Sequence, residues 1–210
     1  MGLQIDALPL GALQANCYLL TDGEGQAAIA IDPGGEISPL LRALRRRERK
    51  LTHILLTHAH FDHIGGVAAL VEATGAVLAL HPGDVPLLRR RGGALDWGFD
   101  LEPIPEPGLL LQEGQVLDLE AAHLKVLWVP GHTPGHVAFY SAQAHSVFTG
   151  DALFQGSIGR TDLPGGDYDQ LIRSIRESLL TLPDDTVVYP GHGSSTTIGE
   201  EKQFNPFFTA

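Results

Sequence analysis

The sequence has a single cysteine, Cys17, in 210 residues. An internal disulfide is therefore excluded, and so is a metal site built from several thiolates. Positive charge is also scarce: 14 lysines and arginines stand against 25 aspartates and glutamates, a formal net charge of −11. That balance argues against a broad nucleic-acid or anionic-membrane surface, because both need positive charge to neutralise phosphates. No apolar run reaches the roughly 18 residues of a membrane span. The N-terminus shows no basic segment followed by an apolar core, so no secretory signal is expected. These absences together predict a cytoplasmic protein with no membrane and no nucleic-acid partner. Cys17 lies in the apolar run Asn16-Cys17-Tyr18-Leu19-Leu20, which reads as a buried structural thiol rather than a reactive one.

What is present is an ordinary globular composition with many glycines and prolines spread along the chain, the mark of frequent turns. The chain is long enough for one sizeable core and short for two domains, and no repeat or linker divides it. Residues 1–210 are expected to form one domain. Short apolar runs at Cys17–Leu20 and Ala27–Ile31 are joined by Asp22-Gly23-Glu24-Gly25, a hairpin signal. Helical spacing covers Ile37–Arg49, whose basic end, Arg45 to Lys50, reads as a solvated last turn. Ile54–Thr57 is an apolar strand, Val67–Ala73 a helix and Ala76–Leu80 a strand. The second half repeats this layout, with strands at Gln115–Leu119, Leu124–Val129, His136–Tyr140 and Ser146–Phe148. A helix capped by Asp167 follows, with apolar positions Leu171, Ile172, Ile175 and Leu179, and then a last strand at Thr186–Tyr189. Strands and helices in both halves suggest an α/β protein of two sheets packed face to face with helices outside. The segment Leu95–Gly108, with Trp97, Phe99 and three prolines, reads as a loop packed on the surface; a flap over a substrate cleft is the alternative.

Histidine and aspartate crowd into a few segments, each just past a strand. His58, His60, Asp62 and His63 occupy one hexapeptide; Gly131-His132, Gly150-Asp151 and Gly191-His192 follow other strands. On an extended segment, residues 58 and 60 point the same way and can share one metal ion. The chain then turns, so that Asp62 and His63 can serve a second ion, with His132 completing the first site, His192 the second, and the Asp151 carboxylate bridging. With ten histidines in the chain, four such matches arise by chance in about one chain in a thousand. A donor set of imidazoles and carboxylates suits Zn²⁺, Fe²⁺ or Mn²⁺.

The segment Thr57–Gly66 with His132, Asp151 and His192 resembles the metallo-β-lactamase superfamily. Gly156–Asp162 and the tail from Thr196 to Phe208 resemble its short glyoxalase-II-like hydrolases. The resemblance implies an αββα four-layer sandwich with two divalent metal ions, zinc first among the candidates, at one edge of the sheets. It implies His58, His60 and His132 as ligands of one ion, Asp62, His63 and His192 of the other, and Asp151 between them. The implied reaction is hydrolysis of hydroxyacyl-glutathione-type thioesters, small-molecule substrates, by a metal-bound hydroxide that Asp62 orients. Only about 18 residues follow His192, so the extra C-terminal domain with which full-length glyoxalase II holds glutathione is not expected. Arg160 stands near a substrate-site lysine of that family and could grip a substrate carboxylate; pairing with Asp162 or Asp167 is the alternative. Two further readings remain. Persulfide dioxygenases share the motif and Gly159-Arg160-Thr161-Asp162, and would use one iron on His58, His132 and Asp151. A catalytically inactive metal-binding protein is the other. RNA-processing nucleases share the histidine motif too, but the acidic charge disfavours them.

The remaining histidines get more modest readings. His53 suits a hydrogen-bonded place in a strand, and His136 a supporting role beside the metal site. His81, His123 and His145 are expected to be solvated. Asp32 either forms a turn or orients a ligand imidazole.

Overall fold

A computed structural model describes residues 2–209. Its first sheet holds β1 (Gln4–Leu10), β2 (Ala15–Thr21) and β3 (Ala27–Ile31), then α1 (Ser38–Arg46), β4 (Lys50–Leu55), α2 (Phe61–Ile64), α3 (Val67–Thr74), β5 (Val77–Leu80), α4 (Val85–Arg89) and β6 (Leu109–Leu110). The six strands lie in sequence order, antiparallel through β3 and parallel from β3 to β6. The second sheet is built from β7 (Val116–Leu119), β8 (Ala122–Trp128), β9 (Val137–Ser141) and β10 (Ser146–Gly150). A small ribbon of β11 (Leu153–Phe154) and β12 (Ser157–Ile158) precedes α5 (Tyr168–Ser174), β13 (Val187–Pro190), β14 (Thr196–Thr197) and α6 (Ile198–Phe204). The second sheet runs β14-β13-β10-β9-β8-β7, with only β10 and β13 parallel.

Alternation along the strands sorts the core into three layers. Tyr18, Leu20, Ile29, Ile31 and Leu55 of the first sheet meet Leu124, Val126, Phe139 and Phe148 of the second. The intervening residues Cys17, Leu19, Ala28, Ala30 and Ile54 face outward onto Leu40 and Leu44 of α1 and Leu70 of α3. On the far side, Ala138, Val147 and Val188 pack on Leu171, Ile175 and Leu179. Each fully buried Leu or Ile contributes roughly 1.5–3 kcal/mol over its exposed state. The result is the four-layer αββα sandwich that the sequence resemblance implies.

The Cys17 thiol is buried, which pushes its pKa up and holds it as the neutral thiol. No helix among the described residues is long and apolar enough to cross a membrane. Several element boundaries differ from the sequence expectation. β1 was not anticipated, because its burial follows no clean alternation. β4 starts four residues earlier than the apolar run, at Lys50, and ends at Leu55. Helix α1 ends at Arg46, and Arg47 turns back to pair with Asp6 of β1 at 2.8 Å rather than staying solvated. The helix capped by Asp167 continues from Ile175 to Leu179 as a wider π turn. Helix α6 was also unforeseen, although Thr197 caps it by accepting from the Glu200 backbone N–H at 3.2 Å, a Thr-x-x-Glu signal present in the sequence.

Residues 95–108 divide in two. The start belongs to a 3₁₀ stretch, Arg91–Trp97. Beyond it, Leu101 and Ile104 pack on the core, while Phe99 stacks on Phe61 with ring centroids 5.0 Å apart. The segment is thus packed down, yet Trp97 and Phe99 border hollows beside the histidine cluster.

Candidate metal centre

β4 delivers the chain to Thr57, and the extended backbone through His60 places His58 and His60 together before α2 begins. The turn of α2 then presents Asp62 and His63. The loops after β8, β10 and β13 bring His132, Asp151 and His192 to the same edge of the sheets. All seven residues expected from the sequence converge. One set of donor atoms comprises His58, His60 and His132, and another Asp62, His63 and His192; within each set the atoms lie within 4.8 Å of one another. Asp151 lies between the sets, Oδ1 being 3.3 Å from His63 Nε2, and Oδ2 3.8 Å from His132 Nε2 and 3.7 Å from His192 Nε2.

The hydrogen bonds on the outer ring nitrogens decide which lone pairs point inward. His132 Nδ1 lies 2.7 Å from the Arg160 carbonyl, which can only accept, so Nδ1 carries the proton and Nε2 is left as a lone pair. His63 Nδ1 donates in the same way to Asp32 Oδ2 at 3.1 Å. The Thr57 hydroxyl spends its proton on Asp32 Oδ2 at 2.6 Å and therefore accepts from His58 Nδ1 at 3.0 Å. In their neutral forms these three imidazoles are thus held by Nδ1 with Nε2 turned into the cluster, where His132 Nε2 lies 2.9 Å from His60 Nδ1. His58 Nε2, His63 Nε2 and Asp151 Oδ1 are fully buried with no hydrogen-bond partner. Buried polar atoms without partners are costly. Divalent cations would satisfy them, so the donor set fits the metal ions expected for it.

The local electrostatics agree. Burial, and then the surrounding imidazoles, hold His58 well below its usual pKa and bring His60 down to about 3, so both are neutral. Burial would also lower His63, but the charge of Asp151 close to its Nε2, and the bond to Asp32 at Nδ1, raise it well above its usual value. Burial would raise Asp151 and Asp62; instead neighbouring His63 holds Asp151 below the usual carboxylate range, and the bond from His192 lowers Asp62.

Asp32 carries the arrangement at one end, in the orienting one of the two roles open to it from the sequence. Its carboxylate takes the Thr57 N–H at 2.8 Å as well as the Thr57 hydroxyl and His63 Nδ1. It does so from a left-handed backbone, φ 50°, a strained state found where surrounding contacts demand it. Gly191 precedes His192 because a side chain there would collide with Asp151: a Cβ would lie 2.1 Å from Asp151 Oδ1.

Asp84 was missed by sequence reasoning. It sits fully buried just before α4 and accepts from Ala59 N at 2.9 Å, the Thr133 hydroxyl at 2.8 Å and Gly135 N at 2.7 Å. One carboxylate thereby ties the loop carrying His58 and His60 to the loop carrying His132. Nothing in its local sequence, His81-Pro82-Gly83-Asp84, distinguishes it from a turn aspartate.

His136 is buried against the cluster, stacked on His58 at 5.0 Å, and its Nε2 accepts from the Asp151 N–H at 3.1 Å. His53 stays in β4, half-buried beside the Thr52 hydroxyl and away from the donor sets. His123 and His145 are exposed and pair with Asp118 and Asp185. His81 departs from the expectation of full solvation: it is half-buried, caps the turn at Gly83 and stacks on Trp128. The Arg160 guanidinium grips Asp162 with two bonds, at 2.7 and 2.8 Å, and lies 5.7 Å from the Trp97 ring centroid.

Comparison with known proteins gives the same family on several counts. The family model described as the metallo-beta-lactamase superfamily matches residues 10–192. Hydroxyacylglutathione hydrolase GloC of Haemophilus influenzae is 39% identical over 229 residues, covering 99% of both chains. Among solved structures, the BLEG-1 B3 metallo-beta-lactamase superposes with a TM-score of 0.93 at 38% identity, covering 99% of this chain and 100% of that one. TTHA1623, solved in a di-iron-bound form, gives 0.89 at 47% identity, with coverage of 96% and 99%. ETHE1 from Myxococcus xanthus gives 0.82 at 31% identity, with coverage of 97% and 83%.

Proposed function

The chain belongs to the metallo-beta-lactamase superfamily, and from that premise we propose that it is a two-metal hydrolase of hydroxyacyl-glutathione-type thioesters. His58, His60 and His132 would hold one divalent ion, Asp62, His63 and His192 the other, with Asp151 touching both. The observation that carries this reading is the convergence of seven donor atoms at one sheet edge, several of them buried lone pairs without partners. The hydroxyacylglutathione hydrolase relative supports the substrate class, and the di-iron-bound neighbour supports two ions. Zn²⁺ is the first candidate, with Fe²⁺ and Mn²⁺ suited to the same donors.

Divalent ions bound here would polarise an acyl carbonyl and lower the pKa of water from 15.7 toward roughly 7. The chain's own residues do the rest. Asp32, Thr57 and the Arg160 carbonyl keep the ligand imidazoles in the tautomer that leaves Nε2 unprotonated. Asp62 lines the hollow over the cluster and would orient the attacking water. A thiolate whose conjugate acid has a pKa of about 8.5 leaves without a strong general acid. The acidic surface and single buried thiol fit a cytoplasmic enzyme acting on a small molecule, without nucleic-acid or membrane partners.

The test is elemental analysis of metal-replete protein alongside a thioester-cleavage assay that detects the released thiol. Close to two ions per chain, with activity lost on chelation and restored on reloading, is the expected result. The motif and Gly159-Arg160-Thr161-Asp162 shared with persulfide dioxygenases keep the mononuclear dioxygenase as the rival. One iron per fully active chain, with oxygen uptake on a persulfide, would establish that reading instead. Bound metal with neither activity would mean a catalytically inactive binder.

A further inference from the structure

Three hollows lie side by side over the ligand loops. The central one, about 100 Å³, is lined by His60, Asp62, His132, Asp151, Leu13 and Trp97 among others. It shares Leu13, Phe61 and Asp62 with a hollow of about 360 Å³. It shares His60, Trp97 and Leu163 with another of about 280 Å³. The cluster therefore sits at the floor of a cleft with two arms.

The arms differ in charge. The larger is walled by small and apolar residues such as Leu13, Ile37, Ala69 and Leu101, and its only ionisable side chains are Glu36 and Asp62. An anionic group placed there would be repelled by Glu36, whereas Asp62 would be engaged by the ion it holds. The smaller arm carries the one cation of the two arms, Arg90, together with Asp96. Arg160 overlooks the centre, but Asp162 holds its guanidinium by two short bonds. Arg90 is engaged far more loosely: Asp96 Oδ2 is 3.8 Å from its Nη2, too long for a hydrogen bond, and both side chains are exposed.

The Arg90 backbone is nevertheless held close to the cluster. It follows α4, whose start is anchored by Asp84. Two residues on, Gly92 lies so near the His60–Phe61 peptide that a Cβ there would be 2.3 Å from Phe61 N. A long cationic side chain on a fixed base, beside His60, is suited to capture a carboxylate through charge-assisted hydrogen bonds.

We propose that this cleft orients its substrate by charge: Arg90 anchors the anionic end of the thiol portion, and the neutral acyl group enters the arm of Glu36 and Asp62. This assignment rests on the thioester-hydrolase reading. It specifies the substrate class as a thioester with a carboxylate on the thiol side and an uncharged acyl group lodged in the larger hollow of about 360 Å³. Arg90 is a specificity-determining residue here, not a catalytic one.

The test uses metal-replete full-length protein and two hexanoyl thioesters, one of 3-mercaptopropionate and one of 2-mercaptoethanol. Arg90→Ala should raise KM about tenfold more on the carboxylate-bearing ester than on the neutral one, with kcat little changed. Arg90→Lys should recover part of that difference. Ala69→Phe, which narrows the larger arm from the exposed side of α3, should penalise hexanoyl esters more than acetyl esters of either thiol. Equal penalties of Arg90→Ala on both thiols would overturn the proposal. So would a charge-selective loss in Arg160→Ala in its place, or an Ala69→Phe effect that follows the thiol instead of the acyl group. Should the wild type cleave no thioester, the hydrolase reading fails separately, and the arm assignment is still read by calorimetry. The uncleavable thioether S-hexyl-3-mercaptopropionate should bind the wild type and lose about tenfold in Kd with Arg90→Ala. No binding, or equal binding by both proteins, would refute it.

Discussion

Replacing Asp84 with alanine tests whether one buried carboxylate holds the two ligand loops in register. Asp84 is inaccessible to solvent and takes three donors, the N–H groups of Ala59 and Gly135 and the hydroxyl of Thr133. Burial raises its pKa, and the three donors only partly oppose that. Alanine would leave those donors without a partner, and each buried unsatisfied polar group costs about 1–3 kcal/mol. Partial entry of water reduces the sum, so a loss of roughly 3–5 kcal/mol is expected. Small proteins have about 5–15 kcal/mol in all, which makes this a large fraction. Asp84→Asn keeps the volume and can still accept, but its amide turns a donor toward one of the three donors; roughly 1–3 kcal/mol is expected. Thr133→Val removes one donor and its bond, for about 1 kcal/mol. Urea unfolding of metal-free protein measures all three. With metal, the Ala variant should also lose affinity about 10–100-fold at the group of His58, His60 and His132, the usual scale for a residue that orients ligands. An Ala variant within 1 kcal/mol of wild type at unchanged m-value would refute the reasoning, since wild-type stability would then not depend on satisfying those donors.

Asp151→Ala should abolish most activity and lower metal content at both sets, because its oxygens face His63, His132 and His192; His53→Ala, remote from the donors, should cost little, and comparable losses in two folded variants would contradict the ligand assignment. Acidification should empty the set of Asp62, His63 and His192 first. Raised pKa values at His63 and His192 mean that protons compete with metal there at higher pH, whereas His58 and His60, both lowered, stay neutral; metal analysis after dialysis from pH 8 to pH 6 should pass through one ion per chain, and simultaneous loss of both would count against it. Gly92→Ala should destabilise by more than the ordinary roughly 1 kcal/mol of a glycine substitution, because φ is +65° and the new Cβ would collide with Phe61 N; thermal unfolding indistinguishable from wild type would show that the Arg91–Trp97 segment yields instead of docking.

The clustering of the seven donor residues was legible in the sequence because its information is local. Alternation on an extended strand puts His58 and His60 on one side, and the other ligands stand directly after strands that end at one sheet edge. The layers were legible for the same reason, since apolar periodicity reports which face of an element is buried. β1 and α6 escaped because one alternates poorly and the other is short and exposed. Other features belong to the tertiary structure alone. Asp32 and Asp84 look like turn residues, and only packing shows that one holds Thr57 and His63 while the other ties the loop of Ala59 to the distant loop of Thr133 and Gly135. Arg160 lines the hollow over the cluster, and which of its two sequence readings the loop shows, the pairing with Asp162, became visible only when the loop was folded. Arg90 carries no local signal at all, and it matters only because α4 and the Gly92 contact bring it beside His60. Residue type and spacing state which atoms can bind a metal ion. Which polar groups hold those atoms in place, and which charges face the cleft, depends on long-range contacts that no local pattern encodes.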